Sequence, residues 1–295
     1  MLPTPDWADA RDVPPPARLA DLEALAVDLA VRAGRFVRGD RPATVQVATT
    51  KSTPLDVVTA MDTGSEDLIR AELARRCPED GVLGEEEGLT VGTSGLTWVV
   101  DPIDGTVNYL YDIPAYAVSV AVVVGDPRVP GGWLPVAGAV SNPRVDEVFR
   151  AHLGGGGCVH PMGEVAGYHP AGERPARAIA LEVGQQTDPS LALVGTGFSY
   201  DRVERAAQAE LALRVLAEVR DLRRIGSAAL DLCSVAAGRF DAYYEAGLHA
   251  WDVAAGALLV REAGGVVTGL DAPGGRGPLL ASGPALHGPL GTLIR

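Results

Sequence analysis

One stretch of this 295-residue chain gathers side chains able to do chemistry: Trp98-Val-Val-Asp101-Pro-Ile-Asp104-Gly-Thr106-Val-Asn108-Tyr109. An apolar strand runs into two carboxylates three residues apart, with Pro102 and Ile103 between them and Gly105-Thr106 directly after. Pro102 has no N–H and a fixed φ, so the link between the carboxylates is stiff. Asp101 and Asp104 can then converge on one point with the Ile103 carbonyl facing the same way. Hard divalent cations such as Mg2+ take that kind of all-oxygen set, completed by water and substrate phosphate. If Gly105 and Thr106 open a helical turn, their N–H groups offer an anion site beside the metal. Asp, Pro and Gly are also favoured in a plain strand-to-turn junction. The Thr and Asn make this run more specific than a bare Asp-x-x-Asp-Gly.

Other carboxylates have simpler readings one at a time. Asp252, in Trp251-Asp252-Val-Ala-Ala-Gly256, stands before an apolar helical run and alone reads as an N-cap; Asp62 begins its helix too. Glu85, Glu86 and Glu87 follow Gly84 and alone read as a solvated loop, and Glu245 as a surface residue at a strand end. Those readings leave a set of acids at strand ends and helix starts in a chain without competing apparatus. There is no Gly-x-Ser-x-Gly elbow, no Cys-x-x-Cys and no Asp-x-Asp pair. The five histidines, His152, His160, His169, His249 and His287, lack metal-site spacing. Lys51 is the only lysine and follows Thr50, so a Walker-type phosphate loop is excluded.

The elements that must position these residues are legible from hydrophobic periodicity. Leu19, Leu22, Leu25, Ala26 and Leu29 predict a helix over Ala17–Val37, after a Pro- and Asp-rich lead of about fifteen residues. Extended segments follow at Val45–Thr49 and Asp56–Thr59, then a helix over Asp62–Arg76 stopped by Pro78. Strands are expected at Val82–Leu83, Thr97–Val100, Tyr116–Val124, Val136–Ser141 and Val145–Arg150. Helices are expected at about Ala206–Ala217, Ser227–Ala237 and Val253–Glu262, alternating with strands in a layered arrangement. The Gly154–Gly157 run suggests a boundary between lobes 16–153 and 154–295, the first with most of the candidate ligands and the second with Glu245 and Asp252.

Composition narrows the function. The net charge of −13 argues against nucleic acid or an anionic membrane as main partner and suits recruitment of cations. Three cysteines at long spacing predict no disulfide framework, and the acidic, proline-bearing N-terminus is unlike a signal peptide, so a cytoplasmic location is expected. The longest apolar run, Ala117–Val124, is far short of a membrane span.

Taken together, the motifs resemble the inositol monophosphatase family of Mg2+-dependent, lithium-sensitive sugar phosphatases. The matching segments run nearly end to end: Lys51 with Asp56-Val-Val-Thr59-Ala-Met-Asp62; Gly84-Glu85-Glu86; the Asp101–Tyr109 run; Gly195-Thr-Gly-Phe198; Arg224-Ile-Gly226-Ser227-Ala228-Ala229; Asp241-Ala-Tyr-Tyr-Glu245; and Trp251–Gly256. The resemblance implies an α+β fold, a layered α/β/α/β/α sandwich, assembled as a homodimer. It implies that Glu85, Asp101 and the Ile103 carbonyl hold one metal and Asp101, Asp104 and Asp252 a second, with Glu85 touching a weaker third. Glu85, Thr106 and Asp62 would position and deprotonate the attacking water. Gly105 and Thr106 would cradle phosphate, with Asp104 and Asp252 also facing the substrate. Glu245 with Ser227 and Ala228 would face its alcohol part, and Lys51 would line the site. Ser227 stands where threonine is frequent and Glu87 extends the usual pair, neither touching the metal set; His160–Arg177 matches nothing interpretable.

The expected activity is hydrolysis of a small polyol or sugar phosphate, foremost myo-inositol 1-phosphate. Histidinol phosphate, fructose 1,6-bisphosphate and adenosine 3′,5′-bisphosphate are alternatives within the family. Tyr109 and the placing of Glu245 before Asp252 resemble the inositol branch, and a carboxylate can accept from two adjacent hydroxyls. A different alternative is a protein-binding regulatory relative, because some family members serve RNA processing or transcription. The acidic balance speaks against direct RNA contact.

Overall fold

The computed structural model describes residues 13–51, 57–165, 177–270 and 277–295. The lead up to residue 12, Asp56 and positions 166–176 of the His160–Arg177 stretch lie outside them. Helix α1 (Pro16–Gly39) opens with proline in its first turn, where the missing N–H costs nothing. A short hairpin follows, β1 (Val47–Thr50) and β2 (Val57–Thr59), then α2 (Ala60–Arg76). Next come β3 (Gly81–Gly84), β4 (Gly88–Thr90), β5 (Leu96–Asp104) and the short helix α3 (Thr106–Leu110). Strands β6 (Ala117–Gly125), β7 (Trp133–Asn142), β8 (Glu147–His152), β9 (Gly156–Pro161) and β10 (Ile179–Ala180) complete an eight-stranded sheet of order β10-β9-β8-β7-β6-β5-β3-β4.

The rest of the chain is β11 (Leu193–Thr196), α4 (Arg202–Leu216), β12 (Asp221–Arg223), α5 (Ala228–Ala236), β13 (Ala242–Glu245) and α6 (Ala250–Glu262). It closes with β14 (Val266–Thr268), β15 (Leu279–Ser282) and α7 (Pro284–Leu293). Its five strands form a second sheet, β12-β11-β13-β15-β14.

Strand alternation sorts the cores. Trp98, Val100, Val118, Val120 and Val122 face α1 and α2, whereas Val99, Ala121 and Val123 face α5 and α6. Helices α5 and α6 fill the space between the sheets, with Tyr243 of β13 closing that core from the far side. Ala242 and Tyr244 point the other way, onto Val215 of α4 and Leu286 and Leu290 of α7. The layers are therefore helix, sheet, helix, sheet, helix, the expected α+β sandwich.

Two details depart from the sequence reading. The Gly154–Gly157 run lies in the hairpin between β8 and β9, and the chain stays in the first sheet through Ala180, because β9 and β10 continue its ladder. Strand β5 continues past Val100 through the two aspartates, held by pairs Asp101↔Ser119 and Asp104↔Ala117. Three steps on β5 against two on β6 constitute a β-bulge.

Candidate active site

That bulge decides which way the carboxylates point. In an unbroken strand residues 101 and 104 would face opposite sides of the sheet. The extra residue resets the alternation: Val100 and Ile103 both enter the α1–α2 core, which leaves Asp101 and Asp104 together on the α6 side. Strand β3 runs parallel beside β5, with Gly84 opposite Val100 and the Glu85 N–H bonded to the Val100 carbonyl at 3.2 Å, so Glu85 emerges next to Asp101. Helix α6, packed on the same face, brings Asp252 in its first turn. Gly105 holds φ at 97°, the left-handed region open to glycine, and so lets α3 start immediately after Asp104.

These residues border one cavity of about 770 Å3, walled by Lys51, Glu85, Asp101, Ile103, Asp104, Gly105, Thr106, Ser227, Ala228, Glu245 and Asp252 among others. The Ile103 side chain is in the core, so the backbone is what it turns to the cavity. Asp62 does not line the wall. It stands fully buried behind Thr106, whose hydroxyl lies 2.9 Å from Asp62 Oδ1 and 3.0 Å from the Ile103 carbonyl.

Each carboxylate has one oxygen anchored by the protein. Asp104 Oδ2 accepts from the Ser227 hydroxyl and the Ala229 N–H, both at 2.6 Å, which ties β5 to the start of α5. Asp101 Oδ1 accepts from the Ile103 N–H at 3.1 Å, and Glu85 Oε1 from Lys51 Nζ at 2.8 Å. Asp252 is not the N-cap of α6 but its third residue, with Oδ2 accepting from the His249 N–H at 2.6 Å. Asp62 holds the same position in α2, where Oδ2 accepts from the Thr59 N–H (2.8 Å) and hydroxyl (2.5 Å) in a reciprocal capping box. An N-cap side chain bonds forward to the helix; at the third position the acid bonds back and keeps its other oxygen available.

The electrostatics call for positive charge. Burial, then the neighbouring carboxylates, pushes Asp101 well above the usual range, and Asp252 likewise. Burial lifts Asp104 to about 6 against the pull of Ser227 and Ala229. Burial also lifts Asp62 to about 6, opposed by its Thr59 and Thr106 hydrogen bonds. Lys51 also bonds Glu86 at 2.8 Å; burial disfavours its ammonium, and Glu85 and Glu86 outweigh that and hold it above the ordinary lysine value. No three His, Cys, Asp or Glu side chains among the described residues already meet on one ion position. The acids surround a common space without meeting on one point. An all-oxygen, buried, self-repelling donor set fits hard divalent cations.

On the opposite wall, Glu245 ends β13, and burial lifts its carboxyl to about 7. Tyr243, two residues earlier on the same strand face, donates its hydroxyl to Glu245 Oε2 at 2.5 Å. Arg224 also lines the cavity, and His249 stacks on Trp251 with ring centroids 4.7 Å apart. The sequence reading gave none of these four a role. Tyr243 was accessible to it, since positions i and i+2 share a strand face; the others follow from how α5 and α6 pack.

The profile of the inositol monophosphatase family matches residues 18–289. The inositol-1-monophosphatase of Mycobacterium leprae is 45% identical over 282 residues, 90% of each chain. A Xylella fastidiosa protein named Nus factor SuhB is 41% identical over 74% of this chain and 72% of its own. The Mycobacterium tuberculosis SuhB structure superposes with a TM-score of 0.75 at 42% identity, covering 93% of this chain and 96% of that one. The match over most of the chain settles the family: the chain belongs to the inositol monophosphatase family and is a phosphatase.

Proposed function

We propose that the chain hydrolyses the phosphate monoester of a small polyol, myo-inositol 1-phosphate foremost, using Mg2+. The observation that carries this reading is the placing of Glu85, Asp101, Asp104 and Asp252 around one cavity with Glu245 across from them. Glu85, Asp101 and the Ile103 carbonyl would hold one ion and Asp101, Asp104 and Asp252 a second, with Glu85 reaching a weaker third. When bound, the ions supply the positive charge that offsets the phosphate dianion and the alkoxide it releases.

The protein's own groups do the remaining work. Gly105 and Thr106, at the opening of α3, direct N–H groups to the phosphate. Glu85 and the Thr106 hydroxyl orient a water in line with the phosphorus–alcohol bond. The water's proton passes to Thr106 oxygen while the Thr106 proton moves to Asp62 Oδ1, 2.9 Å away. An acid near 6 is suited to receive it at neutral pH. A phosphorus–oxygen bond to water forms as the bond to the alcohol breaks; a second, solvent water gives the departing alkoxide its proton, and the hydroxide left takes up the proton held by Asp62, so the products are the free polyol and phosphate. Glu245, held by Tyr243, accepts hydrogen bonds from the polyol, flanked by Ser227 and Ala228. Lys51 offsets the acid cluster at the rim.

The same reading has the protein act in the cytoplasm as a homodimer, with no nucleic acid or membrane as partner. Cys77, Cys158 and Cys233 are free, and no described helix is long and apolar enough to cross a membrane. A panel of inositol 1-phosphate, histidinol phosphate, fructose 1,6-bisphosphate and adenosine 3′,5′-bisphosphate, assayed with Mg2+ and with added Li+, tests the proposal. Inositol 1-phosphate is expected to give the highest kcat/KM, with inhibition by Li+. Turnover of none of the four would leave the binding role suggested by the Nus factor relative as the better reading.

A further inference from the structure

Helix α2 carries an unusual face. Asp62, Ser65, Glu66 and Arg70 lie at helical spacing on one side, and the first three are completely buried where a core helix would carry leucine. Ser65 Oγ donates to the Pro102 carbonyl at 3.1 Å, between the two aspartates of β5. The Glu66 carboxylate accepts the N–H groups of Glu86 (2.9 Å) and Glu87 (3.1 Å) and pairs with Arg70 Nε at 2.8 Å. Arg70 goes on to the Gly88 carbonyl at 2.6 Å and Thr90 Oγ1 at 3.2 Å, at the far end of the same turn. A Cβ at residue 84 would come within 2.1 Å of Glu66 Oε1, so the residue preceding Glu85 has to be glycine.

A buried ion pair contributes little stability relative to apolar packing, so this arrangement is not explained by the folding of α2 alone. It grips the turn from Glu85 to Gly88 by its backbone through Glu66 and Arg70 and, from the adjacent Ser65, the bulged end of β5. The turn that carries Glu85 and the strand end that carries Asp101 are thereby referenced to one rigid helix. We infer that Glu66, braced by Arg70, is a positioning residue that sets the Glu85–Asp101 spacing and so the divalent-cation affinity of the site, without touching ion or substrate. This rests on the metal-site reading proposed above.

The test is calorimetric titration of metal-free protein with Mg2+, comparing wild type with Glu66→Gln and Arg70→Gln, alongside melting temperature and the metal dependence of turnover. Glutamine can accept only one of the two N–H groups and turns an NH2 toward the other donors. The expected result for Glu66→Gln is a rise in the Mg2+ Kd of about 10–100-fold, the range seen for partners that orient metal ligands. Turnover should return toward the wild-type value at saturating Mg2+, because no reacting group is lost. Arg70→Gln, which leaves Glu66 in place, should give a smaller shift in the same direction and decides the matter if Glu66→Gln does not fold. Unchanged Kd in folded variants, with only a lower melting temperature, would overturn the inference and leave the metal site standing. A wild-type protein that binds no divalent ion would overturn the metal-site reading itself.

Discussion

Two residues with similar perturbation stand differently to the cavity. Asp62 is lifted to about 6 by burial and touches the cavity only through Thr106. Asp62→Asn keeps an oxygen for the Thr59 N–H, so the helix cap survives while proton acceptance is lost. The expected outcome is a fall in kcat of about 10²–10⁴ with Mg2+ affinity nearly unchanged, checked by steady-state kinetics and titration. Loss of metal affinity with intact kcat would place Asp62 among the ligands instead. Glu245, by contrast, lines the cavity wall itself, and burial raises it from 4.5 to about 7. In that interval the folded protein holds a proton that the unfolded chain has released, so the penalty for Glu245 is absent below 4.5, grows between 4.5 and about 7 and levels off above that. In metal-free protein, Glu245→Gln should therefore gain melting temperature over wild type as pH goes from about 5 to 8. A constant difference across that range would show that Glu245 is not desolvated.

At the scale of elements, the site depends on three local devices: a bulge in β5, a left-handed glycine at the start of α3 and acids at the third position of α2 and α6. Asp252→Asn can still accept from the His249 N–H, so the cap should cost about 1 kcal/mol or less. Mg2+ affinity should fall by more than the roughly 10–100-fold typical of a residue that only orients a ligand. Titration and thermal melts separate the two effects; a large thermal loss with unchanged affinity would make Asp252 a capping residue only. The residue types of the site were legible in the sequence because Asp-Pro-Ile-Asp-Gly-Thr is compact and chemically uncommon. The bulge was not, because register is fixed by pairing with Ser119 and Ala117 on another strand. The polar face of α2 was hidden for a related reason. The partners of Ser65 and Glu66 outside the helix are backbone groups of Pro102, Glu86 and Glu87, which no side-chain pattern reveals.

Across the whole molecule, the cavity collects groups from both sheets and from the helices between and beside them. Lys51, Glu85 and the β5 aspartates come from the first sheet's side, Ser227 and Asp252 from the middle helices, and Glu245 from the second sheet. A layered arrangement was legible from strands alternating with helices, and the five-layer order from the family resemblance; which face of β6 meets which helices was not, because nearly every residue of Ala117–Val124 is apolar. The boundary at Gly154 was not, because a glycine run marks a tight hairpin as readily as a change of sheet. Burying like charges between layers makes the metal-free fold work against its own repulsion. Ions at 100 times their Kd should add about 2.7 kcal/mol of stability by mass action. The most direct check is to titrate Mg2+ into metal-free protein while following turnover of inositol 1-phosphate, for wild type and Asp101→Asn. The predicted result is turnover that rises with ion occupancy, vanishes in excess chelator and is lost in folded Asp101→Asn; full turnover in excess chelator would contradict the account.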